Sequence, residues 1–166
     1  MSTVENLKAA FAGESQANRK YLAFAKKAES EGFLQIAKLF RATAEAETIH
    51  AHNHLRALGG IKSTTENLQE AVSGENYEFT QMYPPFVAEA EKEGNKAALI
   101  SFKGAMAVEQ THCNLYNQAL TAIKTGKDLA GATIYVCPVC GHTVIGDAPD
   151  KCPVCNAPKG RFMLIP

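Results

Sequence analysis

Tryptophan is absent from the 166 residues and decides nothing about function, but other shortages do. No apolar run is long enough to cross a bilayer, and the N-terminus lacks a basic region followed by an apolar stretch. Neither a membrane span nor a secretory leader is expected, and the expected location is the cytoplasm. Charge of one sign is not in excess: 17 Lys and Arg stand against 17 Asp and Glu. Nothing therefore favours a nucleic acid or an anionic membrane as partner. Cysteine is sparse at 5, and four of these sit in two Cys-Pro-Val-Cys pairs, a spacing for metal rather than for a disulfide framework. The length suits one good core, or one core with a small module attached.

What the chain does contain is an internal echo. Glu47-Thr48-Ile49-His50 returns as Glu109-Gln110-Thr111-His112, and the earlier pair Gly13-Glu14 returns as Gly74-Glu75. Glu14 precedes Glu47 by 33 residues, and Glu75 precedes Glu109 by 34. Ser2-Thr3-Val4-Glu5-Asn6-Leu7 returns as Ser63-Thr64-Thr65-Glu66-Asn67-Leu68, offset by 61, and Glu31-Gly32 as Glu93-Gly94, offset by 62. Residues 2–58 and 63–125 therefore read as two copies of one helical hairpin, the second carrying one extra residue.

Capping and breaker signals set the elements. Ser2 and Glu5, and again Ser63 and Glu66, form capping boxes, while Gly32, Gly59, Gly94 and Gly126 are natural stops. Four helices are predicted over about 3–31, 33–58, 63–93 and 95–125, the third kinked just after Tyr83 by Pro84-Pro85. Ala10, Glu14, Ala17, Tyr21, Phe24 and Ala28 recur at helical spacing as the inner stripe of the first helix. Residues 127–133 form a polar linker. From Ile134 the composition turns to β-branched and aromatic residues, Pro, Gly and the Cys pairs, so 134–166 is a second, smaller unit beside a helical domain over 1–126.

The repeated carboxylates and imidazoles carry the chemistry. On a helix, Glu and His three residues apart lean to one face. One Glu from each of two helices plus Glu-x-x-His from each of two others is a donor set for a dinuclear iron or manganese site inside a helical bundle. A single Glu-x-x-His is usually a solvated face, and a lone helical His is usually structural. The doubled, evenly spaced set argues otherwise, because several unpaired carboxylates in an Ala, Leu, Ile and Phe interior would each cost several kcal/mol or take up a proton. Glu14, Glu47, Glu75 and Glu109 neutralise two divalent ions, and His50 and His112 add neutral ligands. Glu78 follows Glu75 on the same face, where the first hairpin has Ala17. A fifth carboxylate suits a more oxidised metal pair, so Glu78 and His50 are candidates to exchange as the site changes redox state. Tyr21 and Tyr83 either hydrogen-bond the carboxylates and supply protons or simply pack. His52 is expected to face outward, His54 to be structural, and Cys113 to be a small buried hydrophobe.

Cys137, Cys140, Cys152 and Cys155 form two knuckles able to close a tetrahedral thiolate site. Zinc and iron both suit four sulfurs. Zinc would only fold the module, whereas iron would carry one electron at a time, and a redox site in the same chain favours iron. His142 is expected to be exposed, since no ligand position remains for it.

Taken together, the Glu and His set followed by Cys-Pro-x-Cys-Gly…Cys-Pro-x-Cys resembles the rubrerythrin family over essentially the whole chain. The resemblance implies a ferritin-like di-iron four-helix bundle with a rubredoxin-like tail. It also implies a non-haem peroxidase reducing hydrogen peroxide to water in oxidative-stress defence. By match to the family motifs, Glu14, Glu47, His50, Glu75, Glu78, Glu109 and His112 bind two irons, with Glu78 and His50 the exchanging pair. Tyr21 and Tyr83 match tyrosines that bond the carboxylates, and the four cysteines hold an electron-transfer iron. Electrons would come from an external donor, a rubredoxin or an NAD(P)H-dependent reductase.

One feature departs from a ferritin-like bundle built within a single chain. A helix over 33–58 is about 39 Å long at 1.5 Å per residue, while residues 59–63 reach at most about 18 Å. The connection cannot return along the bundle. Either the helices run up-down-up-down, or two chains exchange hairpins in a homodimer, which the resemblance favours. A dioxygen-using ferroxidase on the same bundle, and a zinc-bound structural module, are the rival readings.

Overall fold

The structure, a computed structural model, describes residues 2–166. Two compact units divide it, one ending at Lys62 and the other spanning Ser63–Pro166. The boundary between the two units falls between the two hairpins.

The first unit is a helical hairpin of α1 (Thr3–Ser30) and α2 (Leu34–Ala57). Ser2 caps α1 through the expected box: its hydroxyl accepts from the Glu5 N–H while the Glu5 carboxylate accepts from the Ser2 N–H. Gly32 at φ +85° ends the helix in the left-handed region that costs glycine nothing. The seam between α1 and α2 is lined by small residues: Ala25, Ala28, Ala37, Ala44 and Ala51 are all buried. Such side chains let two helices approach closely along their length.

The seam corrects the expected inner stripe of α1. Ala28 lies in it, but Phe24 is exposed, and Ala10, Glu14, Ala17 and Tyr21 are only half-buried. Alongside Ala25 and Ala28, the buried residue is Asn18, whose Nδ2 donates to Ala44 O at 2.7 Å and to Thr48 Oγ1 at 2.8 Å. A hairpin helix has two apolar directions: one faces its own partner helix, the other faces away from that seam. Spacing alone merged the two.

The second unit repeats the hairpin with α3 (Thr64–Tyr77), a π turn (Glu78–Met82), α4 (Tyr83–Lys92) and α5 (Lys96–Lys124). The irregularity therefore precedes Tyr83 rather than following it. In the π turn the Tyr83 N–H reaches back five residues to Glu78 O. Pro84 and Pro85 then lie in the first turn of α4, where missing N–H groups cost little. The π turn is where the second copy accommodates its extra residue. Glu14 and Glu75 are offset by 61, Tyr21 and Tyr83 by 62, and the turn lies between. Beyond it the register is restored: Tyr21, Phe24 and Phe40 cluster with ring centroids 5.6–6.4 Å apart, and so do Tyr83, Phe86 and Phe102 at 5.6–6.3 Å, each offset by 62.

After α5 the chain forms a three-stranded antiparallel sheet in the order β2-β1-β3, from β1 (Ile134–Val136), β2 (Thr143–Ile145) and β3 (Met163–Ile165). Its core is Cys137, Cys152 and Ala157, packed by Cys140, Val154, Cys155 and Phe162. So little apolar material cannot fold 30 residues unaided, and the sulfurs at its centre mark where the rest of the stability comes from. Among the described residues, no helix is long and apolar enough to cross a membrane.

Candidate metal centres

The second Cys knuckle copies the first fifteen residues later. The Cys137 N–H donates to His142 O at 2.8 Å and the Cys152 N–H to Ala157 O at 2.8 Å. The Gly141 N–H returns to Cys137 O at 2.8 Å, and the Asn156 N–H to Cys152 O at 2.9 Å. Each turn needs a positive φ after its second cysteine, met by Gly141 at +89° and by Asn156 at +61°. Asn is the side chain that best tolerates that region after glycine.

This pairing brings the four Sγ atoms within 4.8 Å of one another, with Cys137 to Cys155 at 3.6 Å and Cys140 to Cys152 at 3.5 Å. A tetrahedron with metal–sulfur bonds of about 2.3 Å has edges of about 3.8 Å, so a single ion fits with little movement. Burial pushes the Cys137 thiol up, but the N–H groups of Val139 and Cys140 outweigh it and bring it down to about 7. Burial drives the Cys140 thiol the other way. Four sulfurs so close and so covered become four thiolates only around a cation.

Each hairpin assembles three donors by itself. In the first, His50 Nδ1 lies 2.8 Å from Glu47 Oε2 and 4.0 Å from Glu14 Oε1. In the second, His112 Nδ1 lies 2.9 Å from Glu109 Oε2 and 3.9 Å from Glu75 Oε2. In both sets the donor atoms fall within 4.8 Å of one another. The Glu-x-x-His spacing supplies two donors from one turn, and the facing helix supplies the third.

The second set crowds its carboxylates together. Burial, followed by the charge of Glu109, raises the Glu75 carboxyl from 4.5 to about 7. Burial, then Glu109, also raises Glu78, which starts the π turn and lies outside the three-donor cluster. Burial, then Glu109, Glu78 and Glu75, raises the Tyr83 phenol, so Tyr83 keeps its proton. Among the described residues, neither Tyr21 nor Tyr83 makes a hydroxyl hydrogen bond to a carboxylate within its own unit. Their contacts are the two aromatic clusters.

The Glu75 shift has a measurable sign. An acid whose folded pKa lies above its unfolded value stabilises the fold below the unfolded value and ceases to as pH rises through the folded one. Metal-free protein should therefore lose stability, on the order of 2 kcal/mol, between about pH 4.5 and pH 7 through Glu75. Melting curves of chelator-treated protein should fall over that window, and the Glu75→Gln variant should flatten the fall. A curve unchanged by the substitution would show that the proton is held elsewhere.

One expectation changes. His142 is half-buried rather than exposed, its Nδ1 3.5 Å from Thr111 Oγ1 on α5, and burial, then His112, lowers its pKa. His112 Nε2 also has a partner that no spacing announced, Thr143 Oγ1 at 3.0 Å. These contacts seat the Cys module on α5 within the second unit. His52 is exposed and His54 half-buried. Cys113 is buried, its Sγ 3.9 Å from Val72 O and 3.6 Å from Asn117 Nδ2.

Residues 5–120 match the profile of the family described as Rubrerythrin, and residues 135–163 that of the rubrerythrin rubredoxin-like domain. Rubrerythrin-2 of Clostridium acetobutylicum is 34% identical over 98% of this chain and 96% of its own. Nigerythrin of Nitratidesulfovibrio vulgaris is 39% identical over 97% of this chain and 85% of its own. Solved structures of nigerythrin in a partially reduced state and in a fully reduced, all-ferrous state each cover 99% of this chain at 37% identity with a TM-score of 0.60. The expected fold class, ferritin-like helices followed by a small β module, holds, and the two kinds of donor set suit iron. With a profile match across the helices, a second across the Cys module, and relatives at this identity along nearly the whole length, the chain belongs to the rubrerythrin family.

Proposed function

We propose that the protein is a peroxidase that takes hydrogen peroxide, two electrons and two protons to two molecules of water. In this reading Glu14, Glu47, His50, Glu75, Glu78, Glu109 and His112 hold two irons, and Cys137, Cys140, Cys152 and Cys155 hold a third. Iron in these positions supplies the electrons and polarises the peroxide oxygens. The chain supplies the rest: carboxylates that orient peroxide, and a proton donor in Tyr83, whose pKa is raised by burial. Tyr21 stands at the matching place in the first hairpin.

The observation that carries the reading is the matched pair of three-donor clusters, one per hairpin, with the Cys module hydrogen-bonded to a histidine of one of them. Glu78 and His50 are the proposed alternative ligands. Glu78 stands beside its cluster on the π turn, and the His50 side chain is 53% exposed against 25% for His112.

Three donors make half a dinuclear site, and the whole requires both hairpins. The connection over 59–63 is too short to recross a bundle, which leaves an up-down-up-down run or an exchange between two chains. On the ferritin-like helix directions that the family implies, we assign the pairing to a second copy of the chain, each protomer lending its first hairpin to the other. Ile49 at 54% and Ile100 at 75% exposure, both on ligand-bearing helices, fit such a partner. Residues 1–126 then form the bundle domain only in the dimer. The electron donor is an external rubredoxin or NAD(P)H-dependent reductase, the setting cytoplasmic, and neither nucleic acid nor membrane takes part.

Stopped-flow mixing of the reduced, iron-loaded protein with peroxide and, separately, with dioxygen tests the chemistry. Oxidation should be faster with peroxide by at least about tenfold, a 1.4 kcal/mol difference in barrier. Preference for dioxygen would favour the ferroxidase reading. A colourless protein as isolated would favour the zinc module.

A further inference from the structure

We propose that Thr143 is a positioning residue for His112, fixing which ring nitrogen carries the proton and tying the ring to the backbone of the first Cys knuckle. The inference rests on the ligand role assigned to His112 above.

His112 offers its two nitrogens to different neighbours. Nδ1 faces the carboxylates, Glu109 at 2.9 Å and Glu75 at 3.9 Å. Nε2 faces away from them, 3.0 Å from Thr143 Oγ1. When Nδ1 gives its lone pair to a cation, the single proton of the neutral ring must sit on Nε2, where it needs an acceptor. A hydroxyl accepts there only if its own hydrogen is directed elsewhere. Gly141 O, which can only accept, lies 3.1 Å from Thr143 Oγ1 and takes that hydrogen. The resulting chain, His112 Nε2–H to Thr143 Oγ1–H to the Gly141 carbonyl, has one polarity, and that polarity leaves Nδ1 free for a metal. Gly141 follows Cys140 in sequence, so the chain ends one peptide bond from a sulfur donor.

The first hairpin has nothing comparable. Among the described residues His50 Nε2 makes no hydrogen bond, and the Cys module occurs once. The duplication therefore yields two unequal imidazoles: His112 anchored, His50 able to leave. Thr143 is the residue that makes them unequal, and sequence repetition could not show it, because the contact spans 31 residues between a helix and a strand.

The test uses the full chain loaded with zinc, which is diamagnetic, and histidine labelled with nitrogen-15. In the wild type, long-range proton–nitrogen spectra should give His112 a proton on Nε2, exchanging with solvent at least about tenfold more slowly than that of His50. Thr143→Val should abolish the difference and lower the affinity of the bundle for zinc about 10- to 100-fold in chelator competition, read on the His112 signals. Thr143→Ser, which keeps the hydroxyl, should preserve the slow exchange. Equal exchange at His50 and His112 in the wild type would overturn the proposal without recourse to any variant, as would a Thr143→Val protein that exchanges and binds as the wild type does. Zinc carries no electrons to peroxide, so failure of the peroxidase reading would appear in the iron-loaded protein and leave this result standing.

Discussion

Two inactive variants, unfolded and refolded together, should regain about a quarter of the wild-type peroxidase activity if two chains pool their hairpins. One variant carries Glu47→Ala and His50→Ala, the other Glu109→Ala and His112→Ala. Each alone loses two donors from every site and should fall more than about 100-fold, since even neighbours of ligands cost 10- to 100-fold. In a mixed dimer with exchanged hairpins, one of the two sites receives the intact first hairpin of one chain and the intact second hairpin of the other. Half the dimers are mixed on random assortment, and each has one good site of two, hence the quarter. If each chain closed its own bundle, every site would stay broken and the mixture would be as inactive as its components. The result therefore decides between the two solutions for the short connection, using activity as the readout and chain geometry as the variable.

Cys152→Ala should separate one turnover from many. Cys152 is fully covered at the centre of the small module, and with it goes one of four sulfur donors. Binding of a structural ion by such a set is worth on the order of 10 kcal/mol, more than so small a core supplies. The module should lose its thiolate absorption and its strand signals, while helical circular dichroism is retained, because α1, α2, α3 and α5 pack without the module. Pre-reduced protein should still reduce its first equivalent of peroxide. Steady-state turnover with an external reductase should drop by at least about tenfold, a 1.4 kcal/mol rise in the effective barrier. Undiminished steady-state turnover would remove the Cys centre from the path of electrons.

The donor positions were legible because their spacing is helical and their repetition is not accidental. Glu47 with His50, and Glu109 with His112, sit one turn apart wherever a helix forms, and both capping boxes fixed the helix starts. The Cys knuckles were legible for a different reason: their turns are local, so four residues of sequence determine each geometry. What spacing left out depends on contacts between elements. Asn18 reaches Ala44 and Thr48 across the seam, and Thr143 reaches His112 from the sheet, and neither pair shares a period. Phe24 obeyed the period and still lies exposed, because periodicity identifies an apolar direction without saying which neighbour covers it. The kink was half-legible. Pro84-Pro85 announced a disturbance, but the change of offset from 61 to 62 was the better indicator, since it placed the extra residue before Tyr83, where the π turn lies.

That turn matters for how the two halves of the molecule could diverge. An added residue in a regular helix rotates everything beyond it by about 100°, which here would have carried Tyr83, Phe86 and the end of α4 off their neighbours. Confined to Glu78–Met82, the rotation is absorbed within five residues. The ancestral symmetry is thus broken at one carboxylate and kept on either side of it, so that one hairpin could gain an acid its twin lacks while both continue to pack alike.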